Sequence, residues 1–194
     1  MSLTVEKCLQ AWENSFRQMN AKADIVFFGD SLTYYGDFSS VFPDKVVCNL
    51  GLRGDTIQGM IERVELVNLL EPKVVYLMAG INDVATCTSR QFEESYDLMI
   101  CKILEFIEKD GLVIQSILPV NDVDYNISCN NEQIKDCNRI IVKLANRYHL
   151  QYIDLYPIYL IDGVLPKDYT IDGIHPRKSE YSKWYNELLK NRNI

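Results

Sequence analysis

Short apolar runs alternate along the chain with longer stretches in which apolar residues recur every three or four positions. Five runs, at 24–29, 45–50, 73–79, 112–118 and 151–155, are rich in valine and isoleucine. They read as strands buried on both faces, as in a parallel sheet. Val5, Cys8, Leu9, Trp12, Phe16 and Met19 mark an opening amphipathic helix. Ile57, Met60, Ile61, Val64 and Val67 mark a second. It must end before Pro72, because the residue preceding a proline is pushed out of helical geometry. Phe92, Tyr96, Met99, Ile100, Ile103 and Ile107 predict a long helix stopped near Gly111. Ile134, Ile141, Leu144, Ala145 and Tyr148 predict the next, capped by Asn130 or Asn131. Tyr181, Trp184, Tyr185, Leu188 and Leu189 form a final helix.

This alternation predicts an α/β fold, a parallel sheet with helices on both faces. The 194 residues contain no internal repeat, low-complexity segment or linker, so a single domain over 1–194 is expected. Ligands of open α/β sheets bind outside the carboxyl ends of the strands. The loops that follow the strands are therefore the places to look for chemistry.

Composition narrows the partners. Apolar residues make up 47 % of the chain, enough to bury a core. The net charge is −7 with no block of lysine or arginine, which argues against nucleic-acid binding. No apolar run reaches bilayer-spanning length, so membrane insertion is not expected. The amphipathic opening, with Glu6 and Glu13, does not resemble a signal peptide. A cytoplasmic setting follows, although a secreted chain after cleavage would look the same. Six cysteines, at 8, 48, 87, 101, 129 and 137, include no CxxC pair and no zinc spacing, so no metal and no cofactor are expected. They read as reduced core residues, with Cys101 on a buried helix face. Cys129 and Cys137 could meet across a loop, which spacing alone does not decide.

Four loops carry candidate chemistry. "GDSL", 29–32, puts Ser31 just past the first strand, where a hydroxyl and a backbone N–H can face one space. Gly-Asp-Ser is also ordinary turn composition, and no glycine follows at the place a G-x-S-x-G elbow requires. "NLGLRGDT", 49–56, holds Gly51 and Gly54, which let the backbone approach a ligand closely. Asp55 or Thr56 could cap the helix beyond it. "AGINDV", 79–84, places Asn82 after the most apolar strand, where its amide could donate to an oxyanion or merely form an Asx-turn. "IDGIHPRK", 171–178, sets Asp172 and His175 three apart, so the carboxylate can orient the imidazole. Only one other histidine exists, His149, at the end of a helix pattern and better read as structural or exposed. Each loop alone is ambiguous. Together they supply a nucleophile, oxyanion donors, a base and its orienter, all where the fold binds ligands.

With "GDSL", "NLGLRGDT", "GINDV" and "DGIHP" in order, the chain resembles the SGNH hydrolase superfamily, also called GDSL esterases and lipases. The resemblance runs from Gly29 to the final helix. It implies a three-layer α/β/α, flavodoxin-like fold on a five-stranded parallel sheet. It further implies Ser31 as nucleophile, His175 as general base and acid, and Asp172 as its orienter. The oxyanion hole would comprise the Ser31 N–H, the Gly54 N–H and the Asn82 side chain. Asp30 and Gly51 would be structural. One departure is visible: Glu180 precedes Tyr181 where the family often has a glycine.

The expected activity is hydrolysis of a short acyl ester, most simply acetyl, of a sugar or other small alcohol through an acyl-enzyme. The loops at 33–44, 119–130 and 156–172 should frame the pocket. They carry Tyr34, Tyr35, Phe38, Tyr125, Tyr156, Tyr159 and Tyr169, which suit a sugar face or simple packing. A lysophospholipase or thioesterase of the same family is the alternative within enzymes. A flavodoxin-like module cradling phosphate on "GDSLT" is the alternative outside them. Oligomeric state is not legible.

Overall fold

The computed structural model describes residues 3–191; the side chains of residues 3–6 and of Cys8 lie outside the description. Five parallel strands are present: β1 (Ile25–Gly29), β2 (Val47–Gly51), β3 (Val74–Met78), β4 (Leu112–Gln115) and β5 (Gln151–Ile153). They lie in the order β2-β1-β3-β4-β5. Each falls within or one residue beyond an expected run, because valine and isoleucine stiffened at χ1 suit a strand covered on both sides. Gly29 pairs with Gly51 on one side and Met78 on the other, so three strands end level. The chain leaves β1 outward to β2 and returns across it to β3. That reversal opens a crevice at the carboxyl end of β1.

Alternate residues of β1 serve opposite layers. The Phe27 ring stacks 3.8 Å from Phe38 and 4.7 Å from its strand neighbour Tyr76. Phe38 in turn meets Trp184 of α7 (Tyr181–Lys190) edge-on. Phe28 faces the other way, under the guanidinium of Arg63. On that side lie α3 (Ile57–Glu62), α5 (Ser89–Ile103) and α6 (Asn131–Tyr148), with α3 on α5 and α5 on α6. The opening helix α1 (Leu3–Met19) packs against α4 (Glu65–Leu69). A single turn, α2 (Ser31–Tyr34), follows β1 directly.

Several expectations need correction. The helix expected through Ile57–Val67 is two helices, α3 and α4. The break falls at Arg63, whose side chain turns inward to the carbonyls of Gly29 and Leu50. The helix expected to reach Ile107 ends at Ile103; Ile107 is buried from the turn beyond it. Met19 and Leu189 sit on expected apolar stripes yet are exposed. The places of Val5 and Cys8 on the first stripe lie outside the described residues. Asn130, rather than Asn131, caps α6, in a reciprocal box with Gln133. No described helix is long and apolar enough to cross a membrane.

Candidate active site

Ser31 owes its position to what surrounds the end of β1. Asp30 is the N-cap of α2, its carboxylate accepting the Leu32 N–H at 2.9 Å. Ser31 is then the first helical residue, at a terminus whose N–H groups have no intrahelical partner. Arg63, itself buried, holds this corner: Nη2 donates to Gly29 O at 2.9 Å, Nη1 to Leu50 O at 2.8 Å and Nε to Asp55 at 2.6 Å. From the opposite layer the Tyr181 hydroxyl donates to Leu32 O at 2.7 Å. Asn49 ties down the far end, donating to Thr33 O and Gly36 O. The result is a serine only 6 % exposed on a turn bonded from both sides.

The charges beneath it are unusual. Burial raises the Asp30 carboxyl to about 7, against the Leu32 N–H that favours the anion; Asp55 and Asp83 raise it further. Its Oδ2 has no hydrogen-bond partner among the described residues, which a neutral carboxyl tolerates better than a carboxylate. Asp83 is likewise raised by burial, to about 6, while accepting the Ile57 N–H. Burial draws both Asp55 and Arg63 toward neutrality, and their mutual contact opposes it.

His175 reaches Ser31 from across the crevice. Its Nε2 lies 2.8 Å from Ser31 Oγ, and its Nδ1 lies 2.7 Å from Asp172 Oδ2. The other Asp172 oxygen accepts the N–H groups of Ile174 and His175 at 3.0 and 2.9 Å. Burial pushes this carboxyl up, but those donors and the imidazole outweigh it and hold it below its ordinary range. Asp172 is therefore an anion fixed by its own turn. The imidazole tautomer with the proton on Nδ1 leaves Nε2 free to accept from the serine. Thr170 organises the loop: its hydroxyl donates to His175 O at 3.0 Å and accepts the Gly173 N–H at 2.9 Å.

The two remaining blocks meet each other through Asn82 and Asp55. Gly54 has φ +72°, and a Cβ there would meet nothing within 4 Å, so open space adjoins its backbone. Asn82 Nδ2 donates to Asp55 O, one residue on, at 2.8 Å, which leaves its second amide hydrogen uncommitted. Thr56, not Asp55, caps α3. Gly51 has a packing reason, since a Cβ there would collide with the Tyr34 backbone. Glu180, at the family's usual glycine, ends a 3-10 turn that leads into α7, and Tyr181 still reaches the Ser31 turn.

Sequence reasoning missed Arg63, Thr170, Asn49 and Tyr181 as supports. Only Asn49 left a signal, a polar residue at the end of an apolar strand. Of the expected pocket aromatics, Phe38, Tyr156 and Tyr159 are buried, whereas Tyr34 and Tyr35 are exposed. Tyr35 stands edge-on to His175 at 5.6 Å. His149 caps α6 in the left-handed region and is exposed. Cys101 is exposed, contrary to the expected buried face, with its thiol 3.2 Å from the Tyr148 hydroxyl. Cys129 and Cys137 are buried and unbridged. Among the described residues no three His, Cys, Asp or Glu side chains are grouped to hold a metal ion.

An α/β sheet with a serine, histidine and aspartate in line at the carboxyl edge of its strands is the arrangement of a serine hydrolase. Residues 27–182 match the model of the GDSL-like Lipase/Acylhydrolase family, most of the chain, so the protein belongs to that family. It is similar in fold to a GDSL-like lipase of Bacteroides thetaiotaomicron VPI-5482, with TM-score 0.76 and 20 % identity over 94 % of this chain and 95 % of the other. It is also similar in fold to an acetyl xylan esterase of Geobacillus stearothermophilus, with TM-score 0.71 and 17 % identity over 89 % and 96 % of the two chains. A curated relative, N-acylneuraminate cytidylyltransferase of Escherichia coli O18:K1:H7 (strain RS218 / NMEC), is 27 % identical over 94 % of this chain. The chain spans 45 % of that relative's length.

Proposed function

We propose that the protein hydrolyses a short acyl ester, most simply an acetyl ester of a sugar or other small alcohol, through an acyl-enzyme on Ser31. The observation that carries this reading is the line Asp172–His175–Ser31, with contacts of 2.7 and 2.8 Å. Ser31 Oγ attacks the ester carbonyl carbon while His175 Nε2 takes the hydroxyl proton. The carbonyl oxygen becomes an oxyanion that accepts from the Ser31 and Gly54 N–H groups and the Asn82 amide. As the tetrahedral carbon collapses, the C–O bond to the alcohol breaks and His175 returns the proton to the leaving oxygen. Water then adds to the acyl carbon with His175 again as base, releasing the acid and restoring Ser31. Asp172, held anionic by its turn, keeps the imidazole oriented and stabilises its charged form.

The short acyl preference is supported by the absence of a long apolar lid among the described loops. The sugar-type alcohol is supported by the exposed Tyr35 beside His175, with the exposed Tyr34 ring edge-on to Tyr35. A fold neighbour that is an acetyl xylan esterase and a relative named for an N-acylneuraminate, itself a sugar, agree with it.

The test is p-nitrophenyl acetate hydrolysis by the wild type and by Ser31→Ala prepared identically. Turnover by the wild type alone supports the reading. Equal turnover by both, or none by either, removes Ser31 as nucleophile for short esters.

A further inference from the structure

The rim of the site carries two cations that nothing in the chemistry above uses. Arg53 immediately precedes Gly54 and is exposed. Its guanidinium lies over the Tyr35 ring, 5.8 Å from the centroid, and that ring stands edge-on to His175. Lys167 repeats the arrangement from another loop. Its ammonium lies 5.9 Å from the centroid of Tyr125, and Tyr125 packs on Gly173, between Asp172 and Ile174. Neither cation has a carboxylate within ion-pair distance among the described residues. By contrast the interior Arg63 and most basic residues of α5 and α6 are paired.

A protein with net charge −7 has ample acidic side chains to neutralise such groups. Two exposed cations without a carboxylate partner bracket the histidine, and each is free to receive an anion through charge-assisted hydrogen bonds. A guanidinium resting on an aromatic face is also partly pre-ordered, so less entropy is lost when it binds a planar or tetrahedral oxyanion. Arg53 sits one residue from an expected oxyanion donor and one ring from the base. A group it holds would therefore be part of the substrate, a few bonds from the reacting ester.

Resting on the esterase reading of the same site, we propose that the alcohol portion of the substrate bears an anionic group, carboxylate or phosphate, and that Arg53 is the residue that selects it, with Lys167 in support. Arg53 takes no part in bond breaking. It binds the anion through one or two charge-assisted hydrogen bonds and so aligns the ester over Ser31.

The experiment compares kcat/KM for O-acetyl-lactate, its neutral analogue O-acetyl-lactamide and 2-acetoxyethyl phosphate, using wild type, Arg53→Gln and Arg53→Lys. The readout is the ratio of each anionic ester to the amide, so a general loss of activity in a variant cancels. Arg53→Gln should lower one or both ratios about tenfold, the effect residing in KM, and Arg53→Lys should restore part of it. Rising salt should erode the wild-type ratio and leave that of Arg53→Gln nearly flat. A loss confined to the lactate ratio assigns a carboxylate, and one confined to the phosphate ratio assigns a phosphate. Ratios unchanged in Arg53→Gln, with p-nitrophenyl acetate still hydrolysed, overturn the role of Arg53 alone. No hydrolysis of any ester by the wild type overturns the esterase reading and this proposal with it.

Discussion

The two halves of the candidate site are built in opposite ways. The Ser31 half is interior: a serine 6 % exposed, on a turn bonded by Arg63 from one layer and by Tyr181 from the other. The His175 half is peripheral. The Asp172 side chain is 50 % exposed, and its geometry comes from hydrogen bonds within its own turn. An interior polar group costs stability unless every partner is present, so the first half depends on residues far away in sequence. A peripheral turn can be set by three or four consecutive residues and by one threonine. Damage to the first half should therefore appear in stability, and damage around the second half and the oxyanion donors should appear in turnover.

The largest expected effect tests the interior half. Arg63→Met should destabilise the fold by about 3–5 kcal/mol in urea unfolding, because Asp55 is left buried without its cation. Adding Asp55→Asn should recover part of that loss. A single variant as stable as the wild type would mean that the corner is held by packing alone. Next, Asn82→Ala should lower kcat by about 10²–10³ with little change in KM, the cost of one oxyanion donor in a protease precedent. Its stability should change far less than that of Arg63→Met. An unchanged kcat would remove Asn82 from the hole.

The effect that is smallest per measured step is a pH slope, about 1.4 kcal/mol per pH unit for one titrating group. The folded Asp30 carboxyl is raised to about 7 from 3.8, so between those values the folded state keeps a proton that the unfolded state has released. Stability should therefore fall as pH rises through that window, and the loss is complete above it. Asp83, raised to about 6, acts in the same direction. Asp172, whose carboxyl is lowered, acts oppositely but only below its ordinary range. Unfolding free energies of Asp30→Asn, measured in steps across the window, should show a flatter slope than the wild type. A wild type that gains stability with pH there would show Asp30 to be ionised in the fold.

The sequence disclosed the strands because apolar β-branched runs of strand length have few other readings. It singled out Ser31, His175 and Asp172, which the fold brings within hydrogen-bond distance of one another, because the chemistry restricts residue types and only two histidines are available. Periodicity could not disclose Arg63. An apolar-position pattern marks what faces the core and assigns a lone arginine in a helix to solvent. The same blindness joined α3 to α4, since the break exists to admit that side chain. Thr170 and Tyr181 were invisible for another reason: their bonds are to backbone carbonyls and N–H groups, which carry no sequence label. Cys101 failed because the apolar stripe of α5 is narrower than its cysteine suggested. Tyrosines in loops were expected at the pocket together, yet Tyr159 fills the core while Tyr35 lies at the rim. Composition cannot separate the two.

The bond from His175 to Ser31 joins residues 144 positions apart. In kinetic terms it is a contact that closes almost the whole chain, and closing so long a loop carries an entropic cost that earlier, nearer contacts must first offset. β1 and β3 can pair, and Phe27 can stack on Tyr76, before that happens. Trp184, whose indole donates to Gln115 at 2.6 Å, docks in the same C-terminal segment as the histidine. The signal of this tryptophan and the return of hydrolysis should thus coincide during refolding, both trailing the appearance of the sheet. Hydrolytic competence is in this sense a clock for the final docking step, the one that brings His175 to Ser31 and Tyr181 to the turn that carries it.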